Sequence, residues 1–157
     1  MVSDRVDFLL AHHQVLVRPK SDSWIMRTAG AFLGRGFMQG VWTTIRLPFC
    51  PPVIYYPSRV IAPLSQRYEW VLEHELMHVA QFRPWYGPVW MFLLYFVLPL
   101  PVGFSGRWFV EREAYLGDIR RGVYTAEAAA RQLKTSYIYP WPERWMVRWF
   151  HRNRDRR

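Results

Sequence analysis

The sequence predicts a mostly helical α+β domain with a small β-sheet, and three observations predict it. Of 157 residues, 51% are hydrophobic and 21% charged, which is apolar enough to bury a core and to exclude intrinsic disorder. The stretch from Ser65 to Gln81 contains neither Pro nor Gly, so a long helix can form there. Two short runs rich in β-branched and aromatic residues lie between residues 40 and 56, and these read as strands. The length suits one domain, 1–157, and the sequence shows no internal repeat and no interdomain linker.

Taken in order, Met1 to Asp7 carries acids ahead of Phe8-Leu9-Leu10-Ala11, an apolar stretch too short for an export signal. A cytoplasmic location is therefore expected, with membrane association left open. Residues Ser23 to Gly34 suit a helix that Gly34 and Gly36 end. Gly40 to Arg46 and Pro52 to Tyr56 are the two strands. Ser65 suits the N-cap of a helix through Gln81, and Pro84 stops it. A helix from Arg107 to Arg121 is closed by Gly122. Thr125 caps an Ala-rich helix to about Leu133. Pro142 opens a last helix to about Arg152, and residues 151–157 form a basic, solvated tail.

Charge and cysteine content narrow the functional classes. Lys+Arg 21 against Asp+Glu 12 gives a net charge of +9, which favours anionic surfaces such as acidic lipid or nucleic acid. Cys50, the single cysteine, excludes an internal disulfide and a thiolate metal cage. Its place between Phe49 and Pro51 suggests a packed thiol. From 85 to 106 there is no charged residue. The continuous apolar run Val89 to Leu98 would rise only ~15 Å as a helix, against a hydrocarbon core of ~30 Å. Pro88, Pro99 and Pro101 discourage extending it. A buried helix, a helical hairpin and a shallow membrane insertion are the forms left open.

The chemistry concentrates in His74-Glu75-Leu76-Met77-His78, an H-E-x-x-H motif inside the 65 to 82 helix. Four residues make about one turn, so both imidazoles project from one face and can bind a single Zn2+, while Glu75 can reach a metal-bound water as general base. Such a hydrolytic site needs a third protein ligand. Glu111 is the candidate and Glu113 the alternative. Glu111, Tyr115 and Asp118 share a helix face at intervals of four and three, with the small Ala114 permitting close packing. One of the two glutamates must face outward or pair with a neighbouring Arg.

The run from His74 to Gln81, followed downstream by Glu111-Arg112-Glu113-Ala114-Tyr115, resembles the gluzincin metallopeptidases, in particular the small minigluzincins. The resemblance implies a compact zincin-like domain with an HExxH metal helix and a downstream glutamate helix, and metal ligands His74, His78 and Glu111. It also implies an edge strand before the metal helix that receives extended substrate, a place open to Val53 to Tyr56 or Val41 to Ile45. Many gluzincins carry an Asp one turn after the ligand glutamate, where this sequence has Tyr115. Asp118 is then the candidate to orient a ligand imidazole, with a pairing to Arg121 as its other role.

The expected function is therefore zinc-dependent hydrolysis of peptide bonds in a peptide or protein substrate. The alternative is a non-catalytic, metal-stabilised protein that binds membrane or nucleic acid through its Arg- and Trp-rich surface. A third combination, proteolysis linked to DNA contact as in SprT-like proteins, shares features of both. If both His78 and Glu111 reach one ion, the 85–106 segment cannot cross a bilayer once, because a single crossing would part them.

Overall fold

The computed structural model describes residues 3–47, 49–81, 102–136 and 142–155. It is mostly helical with a three-stranded mixed sheet, the α+β class that the sequence predicts. The residues gather into two compact units, Met1–Arg83 and Pro84–Arg157.

The first unit opens with helix α1 (Asp4–His12), which the local sequence pattern does not announce. Asp4 and Asp7 lie in its first turn, where carboxylates favour the positive helix end. Val6 and Leu10, four residues apart, are its buried face. Strand β1 (Leu16–Pro19) is likewise additional. It pairs in parallel with β3 (Val53–Tyr56), and β2 (Thr43–Ile45) pairs with the other side of β3 in antiparallel register. Parallel pairing requires a long crossover, and helix α2 (Trp24–Gly40) lies in that connection. Ser23 caps α2 by accepting from the Met26 amide at 3.3 Å.

The first helical segment ends at Gly34 as expected: its φ of 80° and ψ of −177° are non-helical, and a second helical segment follows across this kink to Gly40. Only glycine adopts that conformation without strain. Cys50 is also corrected, since it is exposed rather than packed.

Helix α3 (Glu69–Gln81) follows a short 3₁₀ turn over Gln66–Tyr68. Its residues Leu72, Leu76 and Val79 repeat at helical spacing and join Val6, Leu10 and Ile54 in one core. The Ser3 hydroxyl bonds to the Glu69 carboxylate, and Arg5 pairs with Glu73 at 3.7 Å, so two polar links run from the start of α1 to α3.

The second unit contains α4 (Val102–Arg120), α5 (Ala126–Ser136) and α6 (Glu143–Arg154). The close of α4 is as its glycine predicts. Gly122 has a φ of 77°, its amide reaches the Ile119 carbonyl at 3.0 Å, and the Val123 amide reaches that of Asp118 at 2.9 Å, which is a Schellman closure. Thr125 Oγ1 accepts from the Ala128 amide at 3.1 Å, the cap expected of it. Leu116, Ile119, Ala129, Ala130, Leu133, Met146 and Phe150 form the core. Trp108 belongs to the same core, its ring tilted against Trp145 with centroids 5.4 Å apart and edge to face with Trp149 at 5.6 Å.

The C-terminal tail is exposed at His151, Arg152, Arg154 and Asp155, as expected, and is helical as well. Residues 151 to 154 belong to α6, and Arg120 donates to the Arg154 and Asn153 carbonyls at 3.0 and 2.9 Å, occupying acceptors that the last helical turn cannot satisfy itself. Among the described residues no helix is long and apolar enough to cross a membrane. Most of the apolar segment, 85–101, lies outside the described residues.

Candidate metal centre

The two histidines of the motif sit on α3 on the side away from its core. At about 100° per residue, His74 and His78 turn away from the Leu72, Leu76 and Val79 stripe. Their rings lie 5.0 Å apart, edge to face. His78 is buried, and its Nδ1 lies 3.0 Å from Gln81 Oε1. An amide oxygen only accepts, so the tautomer that makes this bond carries its proton on Nδ1 and offers the Nε2 lone pair to a metal.

On α4, Glu111 is 4% exposed. Glu113 is half-exposed and pairs with Arg112 at 3.4 Å, so the two glutamates divide into an inward and an outward one. His74, His78 and Glu111 each offer one ligand atom, and these atoms all lie within 4.8 Å of one another. Two imidazoles and a carboxylate are a donor set suited to zinc.

Tyr115 and Asp118 are both buried. Arg121 donates to Asp118 Oδ1 at 2.5 Å, the pairing that the sequence offers as one role for this residue. Tyr115 lies against Tyr124 with centroids 5.6 Å apart. Burial, and then the charge of Asp118, pushes the Tyr124 phenol above its usual range.

Glu75 is 6% exposed. The Thr44 hydroxyl, on β2, donates to its Oε2 at 2.6 Å and lies 3.3 Å from its backbone carbonyl. Strand parity explains the approach. Thr44 stands directly opposite Ile54, so the two side chains share a sheet face, and Ile54 belongs to the core that α3 completes. Of the two segments offered as an edge strand, β3 is paired on both sides, whereas β2 has one strand neighbour among the described residues.

Lys20 is fully buried. Its ammonium donates to the Phe37 carbonyl at 2.7 Å and lies 3.5 Å from the centre of the Phe37 ring. Burial lowers its pKa from 10.5 to about 8, and the nearby Glu75 charge opposes that shift. From about pH 8 to 10.5 the unfolded chain keeps a proton that the folded one has released, so the cost of burying this lysine fades as pH rises. Thermal unfolding of wild type and Lys20→Met from pH 7 to 10 is expected to show the variant's relative stability falling above pH 8. A pH-independent difference would contradict it.

Thr44 and Lys20 are the residues near Glu75 that the sequence pattern leaves unmarked. Thr44 counts there only as a strand former. For Lys20 a signal exists: 19 of the 21 basic residues are Arg, and a lysine tolerates burial by shedding its proton where an arginine does not.

Compared with known proteins, the chain matches no family model, no curated protein and no solved structure.

Proposed function

We propose that this chain is a zinc-dependent peptide hydrolase of gluzincin type, built on a zincin-like variant of the α+β fold. The observation that carries the reading is the donor set of His74, His78 and Glu111, with ligand atoms within 4.8 Å of one another, beside a nearly buried Glu75. Zinc bound by such a set would lower the pKa of a water towards neutrality and polarise a carbonyl. Glu75 supplies the base: it accepts a proton from the attacking water and returns it to the leaving amine. The substrate is a peptide or protein.

Elemental analysis of the purified protein tests the metal. About one zinc per chain is expected in the wild type, and its loss in both His74→Ala and Glu111→Gln. A wild type without zinc after reconstitution overturns the reading.

One observation favours a second function. Arg144, Arg148 and Arg152 are exposed at intervals of four on α6, with Trp145 also exposed beside them. This stripe suits an anionic lipid surface or a nucleic-acid backbone, and such binding does not need Glu75.

A further inference from the structure

We propose that Thr44 is the positioning residue of the general base: its hydroxyl holds Glu75 Oε2 and thereby makes Oε1 the oxygen that takes the proton. The inference rests on the hydrolase reading above.

A threonine hydroxyl has one proton to donate. Two acceptors of the same residue lie in reach, Oε2 at 2.6 Å and the carbonyl at 3.3 Å. The shorter contact is to the charged oxygen, and hydrogen bonds to ionised acceptors are the stronger ones. The proton therefore belongs to Oε2. Among the described residues no hydrogen bond engages Oε1, so one carboxylate oxygen is fixed and the other is available to the reaction.

A glutamate side chain has three rotatable bonds, and its terminal torsion is broad. Burial limits this freedom without choosing which oxygen faces the attacking water. The Thr44 bond makes that choice. It does so from a strand, whose backbone is anchored to β3 through the pairs Thr43 with Tyr55 and Ile45 with Val53. A base held on two elements keeps its geometry when the helix alone would let it swing, and catalysis is sensitive to displacements of that size. The same hydroxyl ties β2 to the motif helix, so the base and the strand keep a fixed register.

Thr44→Val keeps the branched shape that suits a strand and removes the donor; Thr44→Ser keeps the donor. With a quenched fluorescent peptide library as probe, Thr44→Val is expected to lower kcat about tenfold with KM within about twofold, at unchanged zinc content, and Thr44→Ser to stay within about threefold of wild type. A second readout needs neither metal nor turnover. In the zinc-free protein, Thr44→Val is expected to lower Tm by about 5 °C when Glu75 is present and by less than about 1 °C in a Glu75→Leu background.

Additive Tm changes overturn the proposal, because the bond is then absent in solution. An unchanged kcat in Thr44→Val, with the Tm loss intact, also overturns it and leaves a bond that only stabilises. A wild type that binds zinc and cleaves no library member overturns the hydrolase reading and the positioning role together, an outcome distinct from the other two.

Discussion

Glu75→Gln is expected to keep about one zinc per chain and to lower turnover by a factor of about 100 to 10,000, the range that a positioned general base contributes. The amide matches the carboxylate in shape and still offers an oxygen to the Thr44 hydroxyl, whose bond to Oε2 is 2.6 Å long in the native site. What it lacks is a basic oxygen. The experiment compares steady-state kinetics and metal content of the two proteins. Retained turnover in the variant removes Glu75 from the reaction, whereas loss of zinc would make the residue a structural support for its neighbours. The same variant separates the two proposed functions, because binding of an anionic surface through Arg144 and Arg148 has no reason to change.

Leu72→Ala is expected to cost about 2–5 kcal/mol of folding stability. Leu72 is fully buried, in one core with Val6, Leu10 and Ile54, so the deleted methyl groups leave a cavity walled by α1, β3 and α3 itself. The size of the effect depends on how far these elements can close in. Few relaxations are open, since α3 is also tied to β2 through Thr44. Urea denaturation measures the loss as a fall in midpoint at constant slope. A change below about 1 kcal/mol would mean that the core has collapsed around the smaller side chain. Because single domains are stable by only about 5–15 kcal/mol, the motif helix depends on a core face that takes no part in chemistry.

Much of the fold is legible in the sequence wherever a local rule decides. The motif helix, the two strands near Thr44 and Ile54, the glycine closure at Gly122 and the Thr125 cap each follow from residues within a few positions of one another. Helix α1 is not legible, because Phe8 to Ala11 is too short a run to distinguish a helix face from any other apolar stretch. Strand β1 is hidden for another reason. Its pairing partner lies 37 positions later in the chain, Leu16 with Val53, and no local signal announces a parallel partner. The site divides in the same way. His74, Glu75 and His78 are visible from spacing, and helical geometry shows that Glu111 and Glu113 diverge, while which of them faces inward is read from burial. Thr44 and Lys20 become visible only when strand and helix are assembled, since their roles consist of what they touch.

The link from Arg120 to the end of α6 is also a problem in polymer closure. Joining Arg120 to Arg154 encloses a loop spanning 34 positions, and the chain entropy lost on closing a flexible loop of that length is about 3 kcal/mol before any constant is added. Each exposed hydrogen bond returns about 1 kcal/mol. Two such bonds do not offset the loss, so the guanidinium cannot be what brings the chain end home. Met146 and Phe150, both fully buried, contribute more by removing apolar surface from water. The arginine secures an end that the core has already delivered, and loosening of the last turn is a separate event from opening of the helices beneath it.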